Sequence, residues 1–386
     1  MPFALELPDR TPRAALSVPF LDLVPSAGEQ ESWSRACARV IASGRFIGGA
    51  EVGGFEHAAA AFLRAEHAVG CSSGSDALVI ALLALGIGRG DEVILPGFSF
   101  FATAESVVRV GAVPRFVDIE LELLALEPEA VAAAIGGRTR AVLVVHIAGA
   151  PAPMDDLRRV TEAHGIALVE DAAQAFGSTL NGRRLGTFGH AGCFSFQATK
   201  PLGALGDAGM VVSGDARVAE RCRQLTVHGA PKRHEHASIG GNFRLDAMQA
   251  AILREKLAHF EETLARREAV ARAYDEGLRG VAEVTCPKLP VGALSNRALY
   301  TIRVEAQRRD ALVAFLAERG IETSVYYPMP LSRQPALLEL GLGLPQGALP
   351  NCERACREVL SLPIYPSLTR EQIERVIEGV RAFFER

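Results

Sequence analysis

Short apolar strands alternate with helices between residues 67 and 170, and this alternation limits the fold more than any other feature of the chain. The strands predicted at Glu92–Leu95, Ala141–His146 and Ile166–Glu170 are largely apolar, which indicates burial on both faces. Segments rich in alanine and leucine lie between the strands and predict helices. Apolar strands joined by helices form a mainly parallel sheet that helices cover on both sides. The sequence therefore predicts an α/β fold.

The length of the chain and its later pattern indicate two domains. Its 386 residues exceed one typical hydrophobic core. Leu245–Leu278 has a long helical pattern, which predicts one connecting helix. After Gly280 the pattern becomes strand, helix and strand, and it ends in two helices. We therefore predict a large domain over residues 1–260, which includes an N-terminal arm, and a smaller α+β domain over residues 261–386.

Composition excludes several classes of protein. The net charge is −4, and no block of like charges favours nucleic acid as a partner. Met1–Val18 carries charged residues and lacks a continuous apolar segment, so we expect no signal peptide, and no apolar run is long enough to span a membrane. The seven cysteines are scattered without a Cys-x-x-Cys pair. They predict reduced thiols in a cytoplasmic protein, with neither a disulfide framework nor a metal site.

Lys200 lies in an almost uncharged segment, Phe194–Met210, which connects two predicted buried strands. A buried ammonium is costly unless it is paired or neutral. One interpretation places Lys200 on a tight turn with its amine in solvent. The other is a lysine whose pKa is lowered so that it can form a Schiff base. The segment alone leaves both open.

Three further features lie where strands of the predicted sheet end, which is where ligands bind in such folds. Gly70–Asp76 joins a strand to a helix, and its small residues suit either a phosphate or an ordinary helix cap. Asp171 ends a buried strand, where it either caps a helix or pairs with a protonated pyridine nitrogen. Phe98, Phe100 and Phe101 follow another strand, and one of them can stack on a flat ring. Together with a Schiff-base lysine, these are the parts of a pyridoxal phosphate site.

Several motifs carry a resemblance to a known family. They are Gly-Ser-Asp-Ala-Leu at 74–78, Gly-Asp-Glu-Val-Ile at 90–94, Phe-Ala-Thr-Ala-Glu at 101–105, Glu-Asp-Ala-Ala-Gln-Ala at 170–175, Phe-Ser-Phe with Thr-Lys and Leu-Gly-Ala-Leu-Gly-Asp within 194–207, and Asn-Phe-Arg-Leu-Asp-Ala-Met-Gln-Ala-Ala at 242–251. With these motifs the chain resembles the DegT/DnrJ/EryC1/StrS sugar aminotransferases over nearly its whole length. The resemblance implies a pyridoxal-phosphate enzyme of fold type I.

The resemblance also implies roles for individual residues. Lys200 would bind the cofactor as a Schiff base and then move a proton, and Asp171 would pair with the pyridine nitrogen. The other implied cofactor contacts are Gln174 at the ring hydroxyl, Phe100 stacked on the ring, and Gly74, Ser75 and Ser195 at the phosphate. Asn242 would reach the phosphate from a second subunit, which implies a homodimer with shared sites.

The implied reaction is transfer of an amine from an amino acid, with L-glutamate expected, to a nucleotide-linked keto sugar in amino-sugar, polysaccharide or antibiotic biosynthesis. The segment Leu-Gly-Ala-Leu-Gly-Asp resembles the branch that acts on 3-keto sugars more than the 4-keto branch. Two alternatives stay open. One is an enzyme of the same family acting on a cyclitol or an aminohydroxybenzoate precursor, and the other is a non-catalytic regulatory ligand binder.

The chain departs from the family pattern where substrate contacts are expected. Ala148 and Ala150 replace tyrosine and glutamine, Tyr326 replaces histidine before Tyr327-Pro328, and Gly241 replaces a larger residue. We expect Arg244, Tyr326 and Tyr327 to contact substrate, although a salt bridge to a partner is an equally good interpretation of Arg244. These departures leave the identity of the sugar open.

Overall fold

The computed structural model describes residues 17–385. Most of Met1–Val18, the segment in which no signal peptide is expected, lies outside the described residues. None of the helices within 17–385 combines the length and the apolarity that crossing a membrane requires. The helices are α1 Ala27–Ser43, α2 Gly49–Leu63, α3 Gly74–Ala84, α4 Phe101–Arg109, α5 Pro128–Ala134, α6 Met154–His164, α7 Ala216–Leu225, α8 Ala247–Leu257, α9 Phe260–Gly277, α10 Ala306–Ala317, α11 Pro335–Glu339, α12 Pro350–Glu358 and α13 Arg370–Phe384.

The strands form one large sheet and two small ones. They are β1 His67–Cys71, β2 Glu92–Pro96, β3 Val113–Val117, β4 Thr139–Val145, β5 Ala167–Asp171, β6 Thr179–Leu180, β7 Arg183–Arg184, β8 Ala191–Ser195, β9 Gly209–Ser213, β10 Val284–Thr285, β11 Ala293–Leu294, β12 Tyr300–Val304 and β13 Val359–Leu362. The large sheet has seven strands in the order β1-β9-β8-β5-β4-β2-β3. Only β9 runs against the others, because it pairs antiparallel with both β8 and β1. The predicted, mainly parallel sheet is confirmed.

Helices cover both faces of this sheet. Along β4, Leu143 packs into a core that includes helices α3 and α4, whereas Val142 and Val144 pack into a second core that includes α2, α6 and α8. Successive side chains of a strand point to opposite faces, so a run of apolar residues fills both cores at once. This burial on two faces explains why the strands lack the alternation of polar and apolar residues that a half-exposed strand shows.

A smaller antiparallel sheet, β10-β12-β13, lies in the later part of the chain. Its core combines these strands with α9, α10 and α13, and the rings of Tyr274 and Tyr300 lie 5.0 Å apart within it. Val18 also packs there and pairs with Ile321, so the described end of the N-terminal arm joins this smaller core. A division into domains at residue 260 stays a prediction.

The single helix predicted over Leu245–Leu278 is wrong, because the structure divides it into α8 and α9. His259, which lies between them, has φ −114° and ψ 12°. Helix α8 packs on α1 and α2. Helix α9 begins at Phe260 in a core of the large sheet and continues to Tyr274 in the smaller core. The two helices pack on different partners, and the chain bends between them although no proline or glycine lies at the break.

Candidate active site

A cavity of about 540 Å³ lies at the carboxyl ends of the parallel strands. This is the edge where ligands bind in open α/β sheets. The predicted site residues that line it are Gly74, Ser75, Phe100, Asp171, Gln174, Ser195, Lys200, Tyr326 and Tyr327. The structure therefore brings nine of the eleven predicted residues together. Asn242 and Arg244 are not part of the cavity wall.

The first turn of α3 forms one end of the cavity. Ser73 caps this helix, since its hydroxyl accepts a hydrogen bond from the backbone N–H of Asp76 at 3.1 Å. The N–H groups of Gly74 and Ser75 have no acceptor within residues 17–385. A Cβ on Gly74 would lie 2.5 Å from Cβ of Ser195, so only glycine allows this close approach. The cap and the phosphate site that the sequence left as alternatives are thus compatible, because different residues serve each.

Asp171 ends β5 with its carboxylate buried beside the cavity. One carboxylate oxygen accepts from the hydroxyl of Thr103 at 2.8 Å, and the other accepts from the N–H of Ala173 at 3.2 Å. Burial raises the pKa of Asp171, although the two hydrogen bonds and the more distant charge of Lys200 act against this rise. No cation lies within 4.0 Å of the carboxylate among the described residues. The carboxylate therefore lacks the close positive partner that a buried acid requires.

Lys200 follows β8 on a turn in which its N–H donates to the carbonyl of Gln197 at 2.8 Å. Burial lowers the pKa of the Lys200 amine, and the charge of Asp171 opposes this shift. A lowered pKa makes the neutral, nucleophilic amine more accessible at physiological pH. Of the two interpretations of Lys200, the structure favours the lysine with a lowered pKa over the lysine whose amine lies in solvent.

Gln174 is held at both ends of its side-chain amide. Its carbonyl oxygen accepts from the N–H of Ala148 at 2.6 Å, and its NH₂ group donates to the hydroxyl of Tyr327 at 3.0 Å. Ala148 has a left-handed backbone, with φ 55°. Burial raises the pKa of Tyr327 well above its ordinary value, so this phenol stays protonated. Gln174 thus connects Tyr327, in the cavity wall, to the turn at Ala148, a link that the sequence motifs did not indicate.

Aromatic rings form the mouth of the cavity. Phe100 directly precedes α4, and 57% of its surface is exposed. Its ring centroid lies 6.1 Å from that of Tyr327. Tyr326 lies between Tyr327, at 5.6 Å, and Phe20, at 6.0 Å. An exposed aromatic face beside a buried carboxylate and a lysine can stack on a flat ring.

Glu170, next to Asp171 in the chain, is a buried carboxylate that does not line the cavity but connects the elements around it. It accepts from His146 Nε2 at 2.9 Å and from the backbone N–H groups of Gly186, Phe188 and Gly189 at 2.7, 2.6 and 2.7 Å. Because Nδ1 of His146 accepts from the N–H of Ala152, the proton of the imidazole lies on Nε2. Glu170 thereby ties the ends of β4 and β5 to the turn before β8, immediately next to Asp171.

Asn242 and Arg244 do not line this cavity, although their segment pairs with Cys71 and Ser72, just before the turn of Gly74. Asn242 is exposed, and Arg244 pairs with Cys71 through its backbone. Nε of Arg244 is buried and has no hydrogen-bond partner within residues 17–385. At position 241, just before them, a side chain larger than glycine would meet the ring of Phe243, because a Cβ there would lie 2.3 Å from that ring. Of the positions that depart from the family pattern, Tyr326 is the one that lines the cavity.

These residues fit pyridoxal phosphate on three independent grounds. The uncapped N–H groups of Gly74 and Ser75 suit a phosphate at a helix N-terminus. The buried carboxylate of Asp171 lacks the close cation that a protonated pyridine supplies. The amine of Lys200 makes no hydrogen bond or ion pair with any described residue, so it is available for a covalent bond.

Comparison with known proteins agrees with this fit. The sequence profile of the DegT/DnrJ/EryC1/StrS aminotransferase family matches residues 28–381. The chain belongs to this family. The predicted family, the fold class and the class of enzyme are therefore confirmed: the chain is a pyridoxal-phosphate-dependent aminotransferase.

Several relatives match most of the chain. A dTDP-3-amino-3,4,6-trideoxy-α-D-glucose transaminase of Streptomyces venezuelae is 45% identical over 97% of this chain and 97% of its own length. A pleiotropic regulatory protein of Geobacillus stearothermophilus is 43% identical over 96% of this chain and 99% of its own. A UDP-2-acetamido-2-deoxy-3-oxo-D-glucuronate aminotransferase of Pseudomonas aeruginosa is 40% identical, covering 87% and 91%.

Solved structures share the fold. Streptomyces venezuelae DesV, in complex with a ketimine intermediate, matches with a TM-score of 0.92 at 45% identity over 96% of this chain and 99% of its own. NtdA of Bacillus subtilis, with its bound cofactor PMP, matches with a TM-score of 0.90 at 30% identity, covering 97% and 87%. PMP is the amine form of pyridoxal phosphate, so the predicted cofactor is confirmed for the family to which the chain belongs.

Proposed function

We propose that this aminotransferase moves the amine of L-glutamate to a nucleotide-linked 3-keto sugar. The observation that carries the proposal is the convergence of Lys200, with a lowered pKa, and the buried carboxylate of Asp171 on one cavity. A binding protein has no use for this pair. A transaminase requires it, because the same amine must bind the cofactor covalently and then move a proton.

The residues divide the work between positioning and proton transfer. When bound, pyridoxal phosphate delocalises the electron pair that remains after a proton leaves the substrate carbon. Asp171 would accept a hydrogen bond from the ring N–H and so favour the protonated nitrogen. Gly74, Ser75 and Ser195 would hold the phosphate, and Phe100 would restrain the ring. Nζ of Lys200 would take the proton from the substrate carbon that bears the amine and give it to the former aldehyde carbon of the cofactor, so that the amine stays with the cofactor.

The choice of a 3-keto sugar rests on two observations. The relatives in Streptomyces venezuelae and Pseudomonas aeruginosa are named for a 3-amino and a 3-oxo sugar, each linked to a nucleotide. The segment Leu-Gly-Ala-Leu-Gly-Asp at 202–207 is the form that resembles the 3-keto branch of the family. We propose a place for the enzyme in amino-sugar, polysaccharide or antibiotic biosynthesis, and the predicted cytoplasmic location accords with nucleotide-sugar metabolism.

We further propose that two copies of the chain share their sites. Phe46 and Ile47 are about half exposed, and their backbones contact residues 246 and 247, next to the segment that carries Asn242 and Arg244. We propose that this apolar pair is buried between the subunits and that Asn242, as the resemblance to the family implies, reaches the phosphate of the partner's site.

Mixing two inactive variants tests the shared site. If the sites are shared, a hybrid dimer of Lys200→Ala with Asn242→Ala contains one wholly native site and one doubly damaged site. Activity should then rise well above that of either parent after the subunits are exchanged. Sites confined to one chain would leave both halves of the hybrid damaged, and no gain would appear. Light scattering of the native protein checks the dimer separately.

The absorption spectrum of the cofactor-loaded enzyme tests the reaction. Addition of L-glutamate should replace the visible band of covalently bound pyridoxal phosphate by the near-ultraviolet band of its amine form. Adding a dTDP-linked or UDP-linked 3-keto sugar should restore the visible band, and the 4-keto isomers serve as matched controls. Restoration by the 4-keto sugars alone would refute the proposed position of amination.

Two other outcomes of the same experiment would favour the two alternative functions. A protein that binds no pyridoxal phosphate would support a regulatory ligand binder, for which the relative in Geobacillus stearothermophilus gives a precedent in name. A protein that accepts the amine of glutamate, yet passes it only to cyclitols or an aminohydroxybenzoate precursor, would keep the chemistry and change the acceptor.

A further inference from the structure

The turn from Ser99 to Thr103, where α4 begins, carries two buried hydroxyl groups that are hydrogen-bonded in series to Asp171. Oγ of Ser99 lies 2.8 Å from Oγ1 of Thr103, which in turn lies 2.8 Å from Oδ2 of Asp171. The exposed fractions of the three residues are 3%, 0% and 6%. Two short hydrogen bonds therefore connect a buried serine to the carboxylate through a buried threonine.

The chemistry of the groups fixes the direction of these hydrogen bonds. An ionised carboxylate only accepts, so the proton of Thr103 points to Asp171. The hydroxyl of Thr103 then accepts the proton of Ser99. Each bond polarises the next, and a hydrogen bond to an ion is stronger than one between neutral groups. The series therefore stabilises the ionised form of Asp171 in particular.

The same turn also carries Phe100, which lies at the mouth of the cavity between Ser99 and the start of α4. The N–H of Thr103 donates to the carbonyl of Phe100 at 3.1 Å. One helical turn thus joins the group that contacts Asp171 to the aromatic ring that faces the cofactor. A shift of this turn would move both together.

We infer that Ser99 and Thr103 are positioning residues that keep Asp171 ionised and aimed at the ring nitrogen of the cofactor. The inference rests on the proposed role of Asp171. Neither hydroxyl needs to touch the cofactor, because both act through the carboxylate. Burial alone raises the pKa of Asp171, and the hydroxyl of Thr103 is the stronger of its two hydrogen-bond donors that oppose this rise.

Four variants separate this role from ordinary packing. Thr103→Val removes the hydroxyl with little change of volume, and Thr103→Ser restores it. Ser99→Ala removes the first hydroxyl of the series. Ser106→Ala is the matched control, since Ser106 is a buried hydroxyl on the same helix that donates to the carbonyl of Thr103 and does not contact Asp171.

Binding of pyridoxamine phosphate to the cofactor-free protein gives a measurement that is independent of activity, and inorganic phosphate is the control ligand. We expect Thr103→Val to weaken pyridoxamine phosphate binding about tenfold and Ser99→Ala about threefold, with phosphate binding unchanged. Thr103→Ser and Ser106→Ala should stay within about twofold of the native protein. In the glutamate reaction of the loaded enzyme, Thr103→Val should move the acidic limb of the pH–rate profile to higher pH, because Asp171 would ionise later.

The inference is overturned if Thr103→Val binds pyridoxamine phosphate like the native protein and keeps its pH profile. It is also overturned if Ser106→Ala has the same effect as Thr103→Val, since the cause would then be packing. Asp171→Asn distinguishes a failure of the role given to the two hydroxyls from a failure of the role proposed for Asp171. If that variant loses affinity while Thr103→Val does not, only the role of the hydroxyls fails; if Asp171→Asn also changes nothing, the proposed role of Asp171 fails with it.

Discussion

Replacing Glu170 by glutamine tests how the site is supported. The carboxylate of Glu170 accepts four hydrogen bonds, from Nε2 of His146 and from the N–H groups of Gly186, Phe188 and Gly189. A glutamine side chain offers one oxygen and one NH₂ group. Whichever way the amide is placed, two of the four donors face another donor.

The cost follows from that count. An unsatisfied buried donor costs about 1–3 kcal/mol, so Glu170→Gln should lower the free energy of unfolding by about 2–6 kcal/mol. A change of the His146 tautomer cannot remove this cost. Nε2 would become an acceptor only if Nδ1 carried the proton, and Nδ1 already accepts from the N–H of Ala152 at 3.2 Å. The weaker bonds of a neutral oxygen add to the loss.

Glu162→Gln is the matched control. Glu162 is an exposed carboxylate on α6 whose only ion pair within residues 17–385 is with Arg158, one helical turn away. Exposed pairs of this type contribute about 0.3–0.5 kcal/mol, so the control should unfold like the native protein. The assay is the thermal midpoint of the cofactor-free proteins, followed by near-ultraviolet circular dichroism. Equal midpoints for Glu170→Gln and Glu162→Gln would refute the argument that the four hydrogen bonds hold the site.

Three other substitutions test the site directly. Lys200→Ala should bind pyridoxamine phosphate but abolish sustained transfer, which product formation over many turnovers would measure, and continued turnover would refute its role. Asp171→Asn should slow the glutamate reaction by about 10²–10³-fold. Because burial raises the pKa of Asp171, its ionised form destabilises the cofactor-free fold, so Asp171→Asn should melt above the native protein at pH 7. That gap should shrink as the pH falls toward the ordinary Asp pKa of about 3.9, and a gap that widens in acid would contradict the sign. Gly74→Ala places a Cβ 2.5 Å from Cβ of Ser195 and should weaken binding of cofactor and of inorganic phosphate alike, whereas Gly53→Ala, with no atom within 4 Å of the new Cβ, should leave both unchanged.

The fold could be predicted because the signals that define it are local. Ala141–His146 and its neighbours are apolar over the length of a strand, and the helices between them repeat regularly. The break between α8 and α9 left no such signal. Leu257 and Phe260 are ordinary helical residues, and the chain bends at His259 only because α8 and α9 pack on different partners. Tertiary packing of this kind cannot be read from a stretch of sequence that lacks proline and glycine.

In the candidate site, too, some residues carry a local sequence signal and others are defined only by tertiary contacts. Lys200, Asp171 and Gly74 could be predicted because each is unusual for its place: a cation in an apolar segment, an acid at the end of a buried strand, and a glycine at a helix start. Thr103 and Glu170 were missed as supporting residues. Both lie inside the family motifs, but a threonine within a helix and a glutamate within a strand have many other uses. Only the distances to Asp171 and to the backbone N–H groups give them a role.

These supporting contacts bear on the free-energy penalty of burying the charged side chains of Asp171 and Lys200 at one site. Burial shifts the pKa of Asp171 upward and that of Lys200 downward, so the protein surroundings disfavour the charged form of each. Their charges attract one another, but no hydrogen bond or ion pair joins the two side chains among residues 17–385. The hydroxyl of Thr103 fixes the carboxylate of Asp171, and Glu170 ties the strand that carries Asp171 to the turn before β8. A cofactor that brings a protonated nitrogen to Asp171 and a covalent partner to Lys200 removes both penalties at once, and this is the physical reason for the site to prefer pyridoxal phosphate over a simple anion.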